Sequence, residues 1–77
     1  MTDLKALRER QLLTQRELAA RLGVRRQQTI SDWERGVARP LPRHRRALCA
    51  ALRVTVDDLL AALDAVRVAR RQGQPDA

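Results

Sequence analysis

The 77-residue sequence predicts an all-α fold in which five helices enclose one aliphatic core. Apolar residues recur at helical spacing along nearly the whole chain, whereas β-branched residues are few and do not alternate with polar ones. The one Cys excludes an intramolecular disulfide and a cysteine-based metal cage. The core must therefore consist of leucine, valine and alanine with one isoleucine and one tryptophan.

The first helix is predicted to run from about Asp3 to Leu12. Thr2 or Asp3 would be its N-cap, because a side-chain oxygen at that position can accept from a free backbone N–H of the first turn. Leu4 and Leu7 would face the core, joined by Leu12 at the end of the helix.

The second helix begins with the capping-box pattern TQRE at 14–17, in which Thr14 and Glu17 would each accept from the other's backbone N–H. The helix is predicted to end at Leu22, followed by Gly23 in the left-handed conformation that glycine adopts at little cost. Val24 would fill the turn as an apolar plug. The inward face of this helix would consist of Leu18, Ala19 and Leu22.

A third helix is predicted from about Gln27 to Arg35. Ile30 and Trp33 are three residues apart and would share its buried face, and Gly36 can end it. The spacing favours packing of the Trp33 ring in the core over stacking of that ring on a base. A loop over 37–41 follows.

Pro42 suits the first turn of a fourth helix that reaches Leu52. Thr55 and Asp58 resemble the capped start of a fifth helix, whose pattern continues to about Arg71. The residues expected to face inward are Ala47, Leu48, Ala51 and Leu52 in the fourth helix and Val56, Leu59, Leu60 and Leu63 in the fifth.

The chain is predicted to be a single domain over 1–71 with a disordered tail at 72–77, because it contains no repeat and no low-complexity tract. No apolar run approaches the length of a membrane span, and the first residues do not resemble a signal peptide. We therefore expect a soluble cytoplasmic protein.

The charge of the chain indicates a polyanionic partner. A net charge of +7 and a pI near 11.6 are typical of nucleic-acid-binding domains, although a cationic surface can also serve solubility alone. Eight arginines against two carboxylates place +6 of the +7 within residues 25–53. The eight are Arg25, Arg26, Arg35, Arg39, Arg43, Arg45, Arg46 and Arg53.

Residues 14–36 combine a helix, a glycine turn and a second helix that starts with polar residues, which is the helix-turn-helix pattern. In that arrangement the second helix enters the major groove of DNA and its N-terminal side chains reach base edges, as Gln does with adenine. Arg25 and Arg26 would meet phosphates at the groove wall. The predicted base-reading residues are Gln27, Gln28, Thr29 and Asp32. The alternative is that the two glutamines are ordinary solvent-exposed helix formers.

The sequence resembles the Cro/C1-type (XRE-type) helix-turn-helix regulators, which include the lambdoid phage repressors. The resemblance covers about Leu4 to Leu63 and runs in order through LKALRERQLLTQRELAARLGV, TISDWERG, RP and ALRVTVDDLL. The QQTI segment at 27–30 is similar to phage repressors that read adenines with paired glutamines. The resemblance implies a compact, lambda-repressor-like DNA-binding domain, here with an extended C-terminal helix.

The resemblance also implies roles for residues outside the third helix. Arg8 and Glu34 occupy positions that form a partly buried ion pair in the family, and burial of Glu34 would be expensive without such a partner. Arg39, in the loop after the third helix, would meet a phosphate or reach the minor groove. The phosphate contacts implied in this way are Thr14, Gln15, Arg35 and Arg39.

One departure from the family affects the register of the third helix. Five residues separate Val24 from Ile30, where the family usually has four. We assign the extra residue to the turn, because Ile30 must stay in the core. Inside the helix it would rotate Gln27 and Gln28 by about 100° and make Arg26 a base reader.

Two further departures concern the fourth helix. Arg45 and Arg46 replace leucines that are frequent in the family, which thins the core and adds cations beside the DNA. Together with Arg43 they form an RHRR cluster that would face phosphate or solvent. Arg53 replaces the glycine that usually follows this helix, which leaves its C-cap open.

Nothing in the sequence predicts an enzyme, since no nucleophile lies beside a base and no glycine-rich phosphate loop is present. His44 has no carboxylate or cysteine at metal-ligand spacing, so no metal or cofactor is expected. Cys49 falls at a small core position and is expected to be an inert buried thiol.

The sequence therefore predicts a bacterial or phage transcriptional regulator, a repressor with activation as the alternative, that binds a palindromic operator in double-stranded DNA as a homodimer. The dimer contact is predicted around Leu60, Leu63 and Val66, against the alternative of a frayed, solvated helix end. A second interpretation is an antitoxin that also binds a toxin through its C-terminal helix. An RNA-binding module is disfavoured, because an A-form major groove is too narrow for a helix.

Overall fold

The computed structural model describes residues 2–73, and the surroundings of side chains as far as Val66. This part of the chain contains five helices and no strand, which confirms the predicted all-α fold. The helices are α1 (Leu4–Arg10), α2 (Gln15–Leu22), α3 (Gln27–Arg35), α4 (Pro42–Leu52) and α5 (Val56–Gly73). No helix among the described residues is long and apolar enough to span a bilayer.

Asp3 is the N-cap of α1, and its carboxylate accepts from the backbone N–H of Ala6 at 2.9 Å. The helix ends at Arg10, two residues before its predicted end at Leu12. The prediction that Leu12 faces the core is wrong, because its side chain is 89% exposed and Leu13 is buried in its place.

The backbone explains this exchange of leucines at the end of α1. Leu12 has a φ of +59°, in the left-handed region that costs a residue with a Cβ roughly 1–2 kcal/mol. This conformation redirects the chain so that Leu13 enters the core, where burial of a leucine contributes about 1.5–3 kcal/mol. The packing gain at Leu13 offsets the backbone cost at Leu12.

The capping box of α2 forms as predicted. The backbone N–H of Glu17 donates to Oγ1 of Thr14 at 3.0 Å, and the N–H of Thr14 donates to Oε1 of Glu17 at 3.0 Å. Gly23 ends the helix with a φ of +70°, and a Cβ at that position would meet no atom within 4 Å. Glycine is therefore favoured there by the backbone conformation and not by a lack of space.

The structure also defines the end of α4 and both ends of α5. Arg53 ends α4 with a φ of +56°, the conformation that a glycine would adopt more cheaply. The N–H of Asp58 donates to Oγ1 of Thr55 at 3.1 Å and so caps α5. The helix continues to Gly73, two residues beyond its predicted end, and the remainder of the predicted tail, 74–77, lies outside the described residues.

The core draws on all five helices, and Leu4, Leu18, Ile30, Leu48 and Leu59 are completely buried. The other residues of this buried cluster are Leu7, Leu13, Ala19, Trp33, Leu52, Ala62 and Leu63, and Pro40 is also fully buried. Leu22, Val24, Cys49 and Ala51 pack against this core and are partly buried.

Besides Leu12, other predicted core positions differ from the structure, and Ala47 is one of them, because it is only half-buried. Val56 is 55% exposed because it is the first residue of α5, and Ala62 is buried where the helix crosses the core. Leu60 is only half-buried. Cys49 is half-buried instead of fully enclosed, and this burial raises the pKa of its thiol.

Candidate nucleic-acid interface

The turn between α2 and α3 fixes where α3 begins. Val24 packs against the core, and its N–H donates to the carbonyl of Ala19 at 2.9 Å. Arg25 and Arg26 follow and are exposed to solvent. Helix α3 starts at Gln27, and its Ile30 is fully buried. Residues 24–26 thus precede α3, which agrees with the assignment of the extra residue to the turn.

One side of α3 is anchored and the other is polar. Ile30 and Trp33 hold the helix in the core, and the Trp33 ring packs against the His44 ring at a centroid distance of 5.3 Å. Gln28 is exposed on the opposite side, whereas Gln27 is exposed in the first turn, on the flank of the helix nearer to Ile30. Thr29 and Asp32 are half-buried, and Asp32 lies beside Gln28 on the polar side. The four predicted base-reading residues thus share the first two turns of one helix.

The start of α3 also suits an anion. Arg26 is the N-cap residue, but its side chain does not cap the helix, and no acidic residue occupies the first turn. Because the N-terminus of a helix carries a partial positive charge and free N–H groups, phosphate is favoured there. Thr14 and Gln15 lie at the start of α2, where Thr14 is exposed and caps its own helix.

Gln15 joins the buried part of the domain to the exposed start of α3. Its Nε2 donates to Oε1 of Glu34 at 2.9 Å, and its Oε1 accepts from Nε2 of Gln27 at 3.3 Å. Gln27 is therefore oriented by a neighbour on α2 before any ligand is bound. The predicted phosphate contact at Gln15 would have to coexist with these two hydrogen bonds.

The partner of Gln15 belongs to the predicted ion pair. Nε of Arg8 lies 2.6 Å from Oε2 of Glu34, and both side chains are at most 10% exposed. Arg8 also donates from Nη1 to the carbonyl of Leu13 at 2.8 Å. The hydrogen bond to Glu34 raises the pKa of Arg8 more strongly than burial lowers it. The pair joins α1 to α3, in agreement with the role that the family resemblance implied.

Asp32 organises the outer face of α3. Its Oδ1 accepts from Nε2 of Gln28 at 3.0 Å and from Nη2 of Arg35 at 2.7 Å. The hydrogen bond from Gln28, followed by that from Arg35, holds the pKa of the Asp32 carboxyl below its ordinary value. The carboxylate thus stays ionised at neutral pH and positions the amide of Gln28.

The predicted phosphate-binding arginines fall into two groups. Four of them are exposed and make no hydrogen bond or ion pair with the part of the chain that the structure describes. These are Arg25, Arg26, Arg43 and Arg46. They lie in the α2–α3 turn and on α4, on either side of α3 in the chain.

The second group already has partners within the chain. Arg35 pairs with Asp32, as described above. Arg39 lies in the α3–α4 loop, and its Nη1 is 3.2 Å from Oδ1 of Asp64 on α5. Arg45 is half-buried and donates from Nε to the carbonyl of Pro40 at 3.2 Å. This hydrogen bond stabilises the backbone just before the start of α4. The sequence indicated neither of the last two contacts.

The three residues predicted to form the dimer contact differ in their exposure to solvent. Leu63 is 4% exposed and belongs to the chain's own core, so little of its side chain is available for a contact with a second copy. Leu60 and Val66 are half-buried. A contact between two copies on α5 would therefore use Leu60 and Val66 rather than Leu63.

Comparison with known proteins agrees with this geometry. A family model described as helix-turn-helix matches residues 4–59, which is most of the chain and includes the five helix starts. The chain therefore belongs to the Cro/C1-type helix-turn-helix family of DNA-binding regulators. No curated protein and no solved structure gives a significant match.

Proposed function

We propose that this chain is a transcriptional repressor that binds a specific site in double-stranded DNA with α3 in the major groove. The main support is the position of Gln27 and Gln28, which are exposed at the start of a helix that Ile30 and Trp33 anchor in the core. A glutamine amide presents a donor and an acceptor at the spacing of adenine N6 and N7. The site of action would be DNA inside the cell.

The orientation of the side-chain amides of Gln27 and Gln28 supports base reading by these two residues. Gln27 is held by Gln15 and Gln28 by Asp32, so both side chains are oriented in the free protein. Because little rotamer freedom remains to be lost, binding would cost less entropy than for free side chains. Asp32 then acts mainly by positioning Gln28, with its second oxygen left to accept from a cytosine amine.

The surrounding cations supply the part of the affinity that does not depend on sequence. The exposed arginines of the turn and of α4 would neutralise phosphates on both sides of the groove. Each neutralised phosphate releases counterions, so affinity should fall steeply with salt. A single recognition helix reads only a few base pairs, so two copies on a near-palindromic site, with half-sites roughly 34 Å apart, would be needed for specificity.

Selection from a pool of randomised duplexes tests this function directly. The full chain should enrich a near-palindromic sequence, and the logarithm of its affinity should fall linearly with the logarithm of salt, by about 0.9 per phosphate contact. Equal affinity for the enriched duplex and for a scrambled duplex of the same composition would contradict sequence-specific regulation.

An antitoxin would share this DNA-binding surface and would add a toxin-binding surface on α5. Leu59, Ala62 and Leu63 are used by the chain's own core, so on the described part of α5 a toxin would have to bind at Leu60 and Val66, the residues also available to a second copy. We propose repression because it requires only the DNA-binding surface described above. A transcription assay on the enriched site, with the promoter overlapping it, tests the sign of regulation.

A further inference from the structure

Arg39 and Asp64 form an ion pair between the α3–α4 loop and α5 that has no role in the core. Nη1 of Arg39 lies 3.2 Å from Oδ1 of Asp64, and the two side chains are 38% and 61% exposed. The carboxylate of Asp64 is thus paired with Arg39, the one arginine of the loop that directly follows α3.

The backbones on both sides of this pair are held in place. In the loop, the N–H groups of Val37 and Ala38 donate to the carbonyl of Asp32 at 2.9 and 3.3 Å, and Pro40 is fully buried. On α5, Asp64 follows Leu63, which is buried in the core. The distance between the two charges can therefore change only by rotation of the exposed side chains.

Arg39 does not fill the space beneath it. With Trp33, Val37 and Leu63 it lines a hollow of about 170 Å³ between the loop and α5. The guanidinium can leave Asp64 without opening the core, because neither partner of the pair is a core residue. The pair is thus free to open when a stronger anion approaches.

We infer that Asp64 competes with DNA phosphate for Arg39 and so lowers the affinity of the domain for DNA of any sequence. This inference rests on the proposed DNA-binding function. Asp64 occupies part of the guanidinium through Nη1, so a phosphate would have to share Arg39 with that carboxylate or displace it. The carboxylate of Asp64 would also repel a phosphate held beside it. Weaker sequence-independent binding raises the share of the protein that remains available for its specific site.

The experiment compares Asp64→Asn with Asp57→Asn on the enriched duplex and on its scrambled control. Asp57 is an exposed carboxylate at the start of α5, so its replacement makes the same change in net charge on the same helix. At low salt, Asp64→Asn should raise affinity for both duplexes by about two- to fivefold relative to Asp57→Asn, the range that one exposed ion pair supports. The gain should fade as salt is added, because exposed charges are screened.

The same comparison in an Arg39→Ala background tests whether the gain in affinity depends on Arg39. If Asp64 acts by occupying Arg39, the gain from Asp64→Asn should disappear in that background. A gain that persists without Arg39, or an Asp64→Asn variant no tighter than Asp57→Asn, would overturn the inference and leave the proposed function intact. Failure of the unmodified chain to bind either duplex at low salt would overturn both. Thermal melts of the variants should differ by only a few degrees, because one exposed ion pair contributes at most about 1 kcal/mol, so all variants remain folded in the titrations.

Discussion

Arg8 and Glu34 form a charge-assisted hydrogen bond of 2.6 Å between α1 and α3, and both side chains are almost excluded from solvent. The pair lies below the proposed DNA-binding surface and is connected to it by Gln15, which donates to Glu34 and accepts from Gln27. A stabilising contact of the core is thus continuous with a residue of the proposed interface. Loss of the pair should affect both the stability of the fold and the position of α3.

Replacement of Arg8 by alanine should destabilise the domain by about 3 kcal/mol, because Glu34 would be left as a buried charge with only Gln15 as a donor. Arg21→Ala removes the same charge from an exposed position on α2 and should change stability by less than about 0.5 kcal/mol. Urea unfolding followed by circular dichroism measures both values. Coincident unfolding curves for the two variants would show that the pair does not stabilise this domain.

The capping box of α2 should make a small part of the stability depend on pH. The backbone hydrogen bond with Thr14 holds the pKa of Glu17 below its ordinary value of 4.5. Because the unfolded chain binds the proton more readily, this contribution is present above pH 4.5 and is lost as the pH falls through the lower, folded pKa. Glu17→Gln should remove that acid-dependent loss, whereas Glu9→Gln should not. A carboxyl titration by NMR with the Glu17 midpoint at or above 4.5 would contradict the expectation.

Helix starts and stops were predictable because their determinants are local. Thr14 and Glu17, three residues apart, specify the start of α2, and Gly23 and Gly36 specify the ends of α2 and α3. The end of α1 has no such residue. The choice between Leu12 and Leu13 depends on which side chain fits a core built by the other four helices, and the sequence pattern contains no measure of that fit.

The candidate site was predictable to the same degree. Ile30 and Trp33 fix the buried face of α3, so the exposure of Gln28 follows from helical geometry, and that of Gln27 from its place as the first residue of the helix. The partners of the arginines do not follow from it. Asp64 is 25 residues from Arg39, and no periodicity joins a loop to a distant helix.

The position of the extra turn residue leads to a test of register at Arg26 and Gln27. Because α3 begins at Gln27, Arg26→Ala should weaken binding to all duplexes alike and reduce the salt slope by about 0.9. Gln27→Ala should instead relax the preference at one base pair. Quantitative selection with each variant makes the comparison. Relaxed sequence preference in the Arg26 variant would place the extra residue inside the helix when DNA is bound.

Gln28 and Arg25 separate base reading from phosphate binding. Gln28→Ala should cost about 1–3 kcal/mol at one base pair, because it removes the amide that Asp32 positions. Arg25→Ala should weaken cognate and scrambled duplexes by equal factors, since its exposed guanidinium contacts no base in the proposed arrangement. Titrations of both variants on both duplexes measure these effects. Equal losses on the two duplexes for Gln28→Ala would contradict its assignment as a base reader.

A contact between two copies on α5 should depend on Val66 and not on the start of the helix. Val66 is half-buried and lies beyond Leu63, the last buried residue of the described core, whereas Val56 is exposed at the opposite end of α5. Val66→Asp would bury a charge in the contact, and an unpaired charge is expensive to desolvate. Val56→Asp adds the same negative charge at an exposed position. It therefore measures how much DNA affinity is lost through the change in net charge alone.

On a palindromic duplex, Val66→Asp should therefore reduce cooperative binding by about tenfold relative to Val56→Asp, which corresponds to roughly 1.4 kcal/mol. On a duplex with one half-site the two variants should bind equally. Sedimentation of each variant with each duplex gives the stoichiometry, and titration gives the cooperativity. If Val66→Asp and Val56→Asp bind the palindrome with the same cooperativity, the two copies meet through a surface other than this part of α5.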